Sequence, residues 1–377
     1  MSQIYKIALT GGPCAGKSSA IAFLKQELER AGAEVLYLEE TATALMNSGK
    51  TPGNTGSYEF HSLLFKTQLE GERQLQIKAE QSTAEKCVIL CDRGLMDSRA
   101  YVTDDEFLSY AKEHGFSENR ILCEYDAVFH LVTAAKGAEE YYQTDNNSAR
   151  REDIEAARAL DDRLLSVWTG TPHLRVIDNS TDFDGKLRRL LDETLAVVGI
   201  PEPLEIERKY LIVYPDLQLL NSLPACRRVP LSQTYLKTDT EGKFRVRKRG
   251  EGEDAVFIKT VKKKISEIRR VETEERISES EYKEYISNKE NCKGTIAKDR
   301  YCIVWKNQYF ELDVFPFWDK LALLEIELLD ENQPFELPDF VIPLREVTFE
   351  KQFRNKALAE TYKDYFEIKD GDTVADA

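Results

Sequence analysis

An abrupt change of sequence pattern at Pro201-Glu202-Pro203 is the strongest constraint on how this chain folds. Up to about Gly199, short apolar runs alternate with longer helical patterns, as a parallel α/β sheet requires. From Leu204 onward, many strands of alternating charge are separated by a few short helices. Since prolines interrupt regular structure, residues 200–203 are predicted to link two different domains.

The length of the chain favours the same division. A chain of 377 residues exceeds the size at which a single core stops growing. We expect an α/β domain over residues 1–199, a mostly antiparallel β domain over 204–365 and a disordered acidic tail over 366–377. The predicted strands of the first domain are 5–9, 35–38, 88–91, 127–132 and 174–177, and its predicted helices include 18–30, 59–85, 152–168 and 184–198. In the second domain, helices are predicted around 279–288 and 353–362.

Charge and composition exclude several classes of protein. The chain has 67 acidic and 52 basic residues, a formal charge of -15, which argues against binding DNA or membranes through bulk charge. No apolar run approaches the ~20 residues of a transmembrane helix, and residues 1–9 lack the apolar core of a signal peptide. The seven cysteines are scattered and contain no Cys-x-x-Cys pair, so we expect reduced thiols in a cytoplasmic protein.

Residues 11–18 fit the phosphate-binding pattern Gly-x-x-x-x-Gly-Lys-Ser/Thr, with a predicted strand before them and an amphipathic helix after them. In such a loop, backbone amides turn toward the phosphates and the new helix presents its positive end. Lys17 would reach the outer phosphates and Ser18 would ligate magnesium, whereas the alternative is an ordinary glycine-rich turn. The predicted nucleotide-binding residues of this loop are Gly11, Gly12, Pro13, Cys14, Ala15, Gly16, Lys17, Ser18 and Ser19.

Further candidates follow the other predicted strands. Asp92 comes directly after the run 88–91, where parallel sheets place their ligands, and is predicted to join the magnesium shell or to accept a substrate proton. The alternative is a helix-capping aspartate. Glu40 is a weaker candidate for an acceptor site. Arg150 follows a polar turn, as a mobile lid would, and is predicted to stabilise charge on a transferring phosphoryl group; the alternative is an ordinary surface arginine before a helix. Asn179 follows the fifth strand and is predicted to contact the nucleotide base.

This half of the chain resembles the P-loop nucleotide kinases, especially the ribosylnicotinamide-kinase-like group described as AAA-type ATPases. The matching stretches are Leu9-Thr10-Gly11-Gly12-Pro13-Cys14-Ala15-Gly16-Lys17, Cys91-Asp92-Arg93-Gly94-Leu95-Met96-Asp97 and Ile177-Asp178-Asn179-Ser180-Thr181-Asp182-Phe183. The resemblance implies bound ATP or GTP with magnesium. It leaves open a kinase, an NTPase and a nucleotide switch.

The second domain begins with charged residues at alternate positions. Glu205, Glu207 and Lys209 would share one face of a strand, and like charges on one face repel unless a cation lies between them. The spacing recurs at Glu325 and Glu327, between leucines and isoleucine. Residues 235–270 add twelve Lys or Arg against six Asp or Glu, a local reversal of the chain's charge. A flat sheet with one wet face would produce this pattern, and so would a sheet closed into a tunnel that collects metal and polyanion.

This half looks like the CYTH family of triphosphate tunnel metalloenzymes, whose hallmark is Glu-x-Glu-x-Lys on the first strand. Further matches are Phe244-Arg245-Val246-Arg247, Thr260-Val261-Lys262, Arg270-Val271-Glu272-Thr273-Glu274, Lys298-Asp299-Arg300, Glu311-Leu312-Asp313 and Leu324-Glu325-Ile326-Glu327. The resemblance implies an α+β antiparallel β-barrel. It also implies magnesium or manganese on Glu205, Glu207, Asp313, Glu325 and Glu327, and a triphosphate on Lys209, Arg245, Arg247, Lys262, Arg270, Lys298 and Arg300. Extra lysines at 259–264 leave open which of them faces inward.

The expected activity is metal-dependent hydrolysis of a triphosphate in the second domain, with Glu205, Glu207 and Lys209 as the catalytic candidates; Asp92 is the catalytic candidate of the phosphate-binding-loop domain. A metal-held water would attack the terminal phosphorus while the lysine and arginine side chains stabilise the negative charge that develops. The fusion also resembles the TRPL-channel translocation-defect proteins, which implies an alternative: a nucleotide-regulated module whose tunnel binds a phosphoinositide headgroup or a partner without catalysis.

Overall fold

In the computed structural model, the described residues are 2–142, 153–200, 206–237, 242–264, 270–287, 292–329, 332–363 and 365. Side chains are described for these residues apart from 242–243, 262–264 and 270–273. The predicted tail, 366–377, and the predicted linker residues 201–203 lie outside this set. The chain divides into two units, Met1–Glu205 with Val304–Tyr309 and Ile206–Ile303 with Phe310–Ala377.

A parallel sheet of five strands forms the centre of the N-terminal unit, in the order β2-β3-β1-β4-β5. The strands of this sheet are β1 Gln3–Thr10, β2 Glu34–Leu38, β3 Lys86–Asp92, β4 Ala127–Leu131 and β5 Leu174–Ile177. Residues of β3 and β4 are buried on both faces, as their nearly continuous apolar sequence requires. All five predicted strands are therefore confirmed, within a few residues at each end.

Helices cover this sheet, and the four predicted helices are confirmed. The helices of the unit are α1 Lys17–Arg30, α2 Thr41–Asn47, α3 Pro52–Thr55, α4 Ser57–Glu80, α5 Asp104–Glu113, α6 Glu118–Leu122, α7 Ile154–Trp168 and α8 Phe183–Val198, with 3-10 helices at Leu95–Tyr101 and Glu139–Tyr141. Helices α1 and α8 contribute Leu24, Leu28 and Leu190 to a core against Ile7 and Phe129. Helices α2, α3 and α6 are too short to show a clear helical period and were not predicted. Helix α5 was missed although Phe107, Tyr110 and Ala111 have helical spacing.

An antiparallel sheet of nine strands dominates the C-terminal unit, in the order β10-β9-β8-β7-β11-β12-β13-β6-β14. Its strands are β6 Ile206–Val213, β7 Cys226–Leu236, β8 Gly242–Arg249, β9 Val256–Lys264, β10 Arg270–Ile277, β11 Cys292–Trp305, β12 Gln308–Val314, β13 Leu321–Leu328 and β14 Pro343–Glu346. Its helices are α9 Leu217–Ser222, α10 Glu279–Ser287 and α11 Asn355–Thr361, with 3-10 helices at Gly252–Asp254 and Lys351–Phe353. The predicted combination of a parallel α/β domain and an antiparallel β domain is confirmed.

Two apolar clusters lie on opposite faces of this sheet. On one face, Leu358 and Ala359 of α11 pack with Leu211, Tyr235 and Leu323, so this helix covers one end of that face. Gly294 permits the close approach, since a Cβ there would lie 2.7 Å from the carbonyl oxygen of Ala359. On the other face, Tyr282 of α10 packs with Leu236 and Val246.

All seven cysteines are free thiols, as predicted. In the described residues, no helix combines the length and the apolar character that a membrane crossing requires.

Candidate active sites

The phosphate-binding loop lies between β1 and α1, as its sequence predicts. Gly11 has φ 137°, where a side chain would collide with the carbonyl oxygen of Leu131 at 2.0 Å. Gly16 has φ 88° and precedes the first residue of α1, Lys17. The glycines of the motif are thus required by backbone conformation and by close packing. Ser18 is exposed in the first turn of α1, where a hydroxyl can reach a bound ion.

Lys17 folds back over the loop that precedes it. Its Nζ donates to the carbonyl oxygens of Gly11 at 2.9 Å and Gly12 at 3.2 Å. Burial, together with the nearby charge of Arg93, lowers the pKa of Lys17 to about 8. The ammonium group is therefore held beside the loop with carbonyl partners that a phosphate can replace.

Asp92, at the end of β3, has the properties of a buried general base or an ion ligand. It is 4 % exposed, and its Oδ1 has no hydrogen-bond partner among the described residues. Burial raises the pKa of Asp92 to about 6, although the charge of Lys17 opposes the shift. A buried carboxylate oxygen without a partner is costly in a purely structural role. The geometry is consistent with either predicted role of Asp92.

Glu40 is engaged in a different way. It accepts a hydrogen bond from Nε of Arg93 at 2.6 Å and another from Thr43 at 2.6 Å. Burial alone would raise the pKa of Glu40, but Arg93 and Thr43 hold it at about 2. Glu40 is therefore ionised and acts as the ion-pair partner of Arg93. Asp92 has a pKa close to neutral pH, so it is the candidate general base.

Asn179 was predicted to contact the nucleotide base, and its amide is instead surrounded by protein groups. Its Nδ2 donates to the carbonyl oxygens of Thr133 and Lys136, both at 2.8 Å. Its Oδ1 accepts from Nζ of Lys186 at 2.7 Å, and that same Nζ donates to the carbonyl oxygen of Ala15 in the loop. In this structure Asn179 therefore braces the phosphate-binding loop, and base contact stays a prediction. Arg150 lies outside the described residues.

In the C-terminal unit, the strand register brings the charged residues to one face of the sheet. Residues paired across antiparallel strands share a face. Lys209 pairs with Glu325, Glu325 with Glu311, and Glu207 with Glu327. Arg245 belongs to a second row with Thr260 and Glu274. We call this surface the charged face; its described members are Glu207, Lys209, Arg245, Arg247, Arg249, Glu274, Lys298, Arg300, Glu311, Asp313, Glu325 and Glu327.

The register also decides which lysines of β9 belong to the charged face. Lys262 pairs with Lys243, two residues before Arg245, and therefore occupies a position of the charged face. Lys259 and Lys263 occupy positions of the opposite face. Arg270 pairs with Lys264 and occupies a charged-face position as well. Glu205 lies outside the described residues.

Arg300 is the centre of the ion pairs on the charged face. Its Nε donates to Oδ1 of Asp313 at 2.7 Å, and its other nitrogens donate to Glu311 and, at 3.4 Å, to Glu325. Lys298 donates to Oδ2 of the same Asp313. Burial alone would raise the pKa of Asp313, but Arg300 and Lys298 hold it at about 2. This aspartate is therefore ionised at any physiological pH.

A second ion pair joins the first strand of the unit to this cluster. Nζ of Lys209 lies 3.0 Å from Oε1 of Glu325 and 3.5 Å from Oε1 of Glu207. Lys209 is only 5 % exposed, whereas the side chain of Glu207 is 47 % exposed. The spacing Glu-x-Glu-x-Lys thus places its lysine inside the charged face and its second glutamate toward solvent.

Strand β8 contributes a row of three arginines, Arg245, Arg247 and Arg249. Nε of Arg247 is buried and has no hydrogen-bond partner in the described part of the chain. Burial and the charge of Arg245 lower the pKa of Arg247. Guanidinium groups held close together repel one another, and an anion between them would relieve this repulsion.

The acidic residues fit a hard divalent cation in donor type, since all are carboxylates. Glu207 faces Glu327 and Glu311 faces Glu325, and opposed carboxylates repel without a cation between them. Burial raises the pKa of Glu311, and the charges of Glu327 and Glu325 add to this shift against the effect of Arg300. Within the described residues, however, no three acidic, histidine or cysteine side chains form a group that could hold a metal ion. The ion pairs to Arg300, Lys298 and Lys209 engage the carboxylates instead.

The alternating charges of β8 and β12 already include Arg249 and Glu311 in the sequence pattern, although neither was assigned as a ligand. Sequence reasoning missed Asp161 altogether. Asp161 of α7 accepts a hydrogen bond from the phosphate-binding loop, and nothing in its local sequence distinguishes it from its surface neighbour Asp162.

Comparison with known proteins agrees with this division of the chain. The family model of the AAA domain matches residues 6–186, and that of the CYTH domain matches residues 203–362. The chain is an AAA domain joined to a CYTH domain. The second match includes all the described members of the charged face.

Among solved structures, two of the protein NE1496 are similar to this chain at 32% identity. The one described as a hypothetical protein covers 42% of this chain and 98% of its own, with a TM-score of 0.31. The one described as the inorganic triphosphatase NE1496 covers 42% and 95%, with a TM-score of 0.30. PH1012 from Pyrococcus horikoshii OT3 is 16% identical over 33% of this chain and 78% of its own, with a TM-score of 0.24. A comparison with curated proteins gave no match, so the resemblance to the TRPL translocation-defect proteins stays a prediction.

Proposed function

We propose that the CYTH domain is a magnesium- or manganese-dependent triphosphatase and that the AAA domain binds ATP or GTP as a kinase or NTPase. The observation that carries the first part is the charged face, on which basic and acidic side chains of six strands share one surface. The match to the CYTH domain supports the same assignment. The reaction adds water across the terminal phosphoanhydride bond and yields diphosphate, phosphate and a proton.

The arginine and lysine side chains of the charged face would bind the phosphate chain. Arg247 has an unsatisfied buried Nε, and a phosphate oxygen would satisfy it. Arg300 and Lys209 would exchange their carboxylate partners for phosphate oxygens, which offer the same geometry. Lys262 and Arg270 occupy charged-face positions from which the neighbouring strands extend the clamp. The negative charge that develops on the leaving diphosphate is then stabilised by cations that are already in place.

Release of the carboxylates would create the metal site. Glu207, Asp313, Glu325 and Glu327 would hold magnesium or manganese, together with Glu205, and Glu311 is a further candidate. The ion, when bound, would supply a water of lowered pKa and neutralise phosphate charge. Arg300 has a double role in this proposal, because it pairs with the acids in the free protein and would pair with the phosphates in the complex.

In the AAA domain, Lys17 would bind the outer phosphates and Ser18 would ligate the magnesium of the nucleotide. Asp92 would then ligate the same ion through water or accept a proton from the attacking hydroxyl or water. Its buried Oδ1, without a hydrogen-bond partner in the described residues, supports an assignment beyond helix capping.

The test of the triphosphatase is phosphate release from tripolyphosphate by the intact chain, with magnesium or manganese. Arg247→Ala and Lys248→Ala form a matched pair, because the two residues are adjacent on β8 and occupy opposite faces. We expect Arg247→Ala to lower kcat/KM by roughly 10²–10³-fold and Lys248→Ala to leave it within about threefold. If wild type releases no phosphate but binds a phosphoinositide headgroup, the non-catalytic alternative replaces this proposal.

A further inference from the structure

Asp161 is a fully buried carboxylate of helix α7, and none of the predicted roles includes it. It is 1 % exposed, although its neighbour Asp162 has a side chain that is 70 % exposed. Both residues pair with Nζ of Lys136, Asp161 at 2.9 Å and Asp162 at 2.6 Å. Only Asp161 reaches further, into the phosphate-binding loop.

The backbone amide of Gly12 donates a hydrogen bond to Oδ1 of Asp161 at 2.9 Å. The amide of Thr133 donates to the same oxygen at 3.2 Å, and Nε2 of His130 lies 3.2 Å from it. One carboxylate thus joins the phosphate-binding loop to the segment that leaves β4. The amide of Gly12 is thereby used within the protein and points toward Asp161.

The fit between this loop and Asp161 is close. A Cβ on Gly12 would lie 2.9 Å from Oδ1 and 3.0 Å from Cβ of Asp161. Only glycine at position 12 permits this approach without displacement of the carboxylate. The contact with Asp161 therefore explains the glycine at position 12.

Helix α7 also reaches the Asp92 side of the nucleotide site. Nε1 of Trp168, seven residues after Asp161 and hence on the same helix face, donates to Oδ2 of Asp97 at 3.2 Å. Asp97 in turn accepts from Thr10 at 2.6 Å and from Arg93 at 3.2 Å. Two side chains of one helix therefore hold the two segments that carry Lys17 and Asp92.

We propose that Asp161 is a positioning residue for nucleotide binding. By accepting a hydrogen bond from the Gly12 amide, it fixes the phosphate-binding loop to helix α7. The same helix fixes the Asp92 segment through Trp168. This inference rests on the proposed nucleotide binding by the AAA domain. The relevant property is acceptance of a hydrogen bond, which an asparagine side chain can supply and an alanine cannot.

The test is the Kd of magnesium-ATP and magnesium-GTP for the intact chain by isothermal titration. We expect Asp161→Ala to raise Kd by roughly tenfold to a hundredfold, whereas Asp161→Asn stays within about threefold because it still accepts the Gly12 amide. Asp162→Ala is the matched control, since Asp162 shares the Lys136 contact without touching the loop. Circular dichroism of each variant at the assay temperature establishes that the domain is folded.

Hydrogen exchange of the Gly12 amide in nucleotide-free wild type gives a second readout that needs no variant. The amide is expected to be protected, because it donates to a buried acceptor. Exchange as fast as in an open loop would overturn the inference, and so would wild-type affinity in folded Asp161→Ala. If wild type itself binds neither nucleotide, the proposed function of the AAA domain fails, which is a distinct result.

Discussion

Nε of Arg300 lies 2.7 Å from Oδ1 of Asp313, and the same guanidinium contacts Glu311 and Glu325. One cation thus contacts three acids on two neighbouring strands of the charged face. A triphosphate would compete with the acids for Arg300, and a metal ion would compete with Arg300 for the acids, so each ligand would favour binding of the other. The binding free energies of the triphosphate and the metal ion therefore depend on whether Arg300 pairs with phosphate or with the carboxylates.

Substitution of Arg300 tests this dependence. We expect Arg300→Ala to lower kcat/KM for tripolyphosphate by roughly 10²–10³-fold, because a phosphate-binding cation is lost. Arg300→Lys should restore little of the loss, since an ammonium cannot make paired planar contacts. Arg228→Ala is the control, because Arg228 pairs with Asp299 at 2.9 Å from an exposed position in the same domain. Equal activity of Arg300→Ala and Arg228→Ala would exclude Arg300 from the site.

The same bridge predicts that metal binding depends on the phosphate ligand. In the free protein, Asp313 and Glu325 are engaged by Arg300, Lys298 and Lys209. We expect the Kd for manganese to fall roughly tenfold when a non-hydrolysable triphosphate analogue is present. Electron paramagnetic resonance of free manganese measures this affinity without turnover. Identical affinity with and without the analogue would show that the ion pairs do not compete with the metal.

Nucleotide binding by the AAA domain should depend on pH through Lys17. Burial lowers the pKa of Lys17 to about 8 in the nucleotide-free protein, and a lysine is charged only below its pKa. We therefore expect the Kd for magnesium-ATP to be constant from about pH 7 to pH 8, where Asp92 is ionised and Lys17 is charged, and to rise about tenfold per pH unit above pH 8. Lys17→Ala should bind more weakly and lose this dependence. An inflection near pH 10, the ordinary range of lysine, would contradict the assigned environment.

Local patterns were sufficient to predict the strands and the phosphate-binding loop. Strand β3 is recognised because an apolar run ends directly at Asp92, and β6 because charges alternate from Glu207 to Lys209. These features depend on period and on turn chemistry, both of which are written in neighbouring residues. The short helix α2 lacks such a period and was missed.

Partners that are distant in sequence could not be predicted in this way. The position of Lys262 was ambiguous until pairing with Lys243 fixed its face. Asn179 was predicted as a site residue from its place after β5, but that place does not reveal its contacts with the carbonyl groups of Thr133 and Lys136, more than 40 residues away. In sequence, Asp161 looks like any acid on a surface helix. Its contact with Gly12 could not be predicted, because 149 residues separate the two. Such contacts depend on the tertiary fold, which a single sequence does not reveal.

The most direct test of the central claim is a substrate panel on the intact chain with magnesium or manganese, repeated with Glu207→Ala and Lys17→Ala. The panel contains tripolyphosphate, thiamine triphosphate, ATP and GTP. We predict that wild type releases phosphate from at least one of these, that Glu207→Ala lowers this rate by at least about a hundredfold, and that Lys17→Ala leaves the tripolyphosphate rate unchanged. Hydrolysis by Glu207→Ala at the wild-type rate would contradict the assignment of the charged face as a metal-dependent triphosphatase.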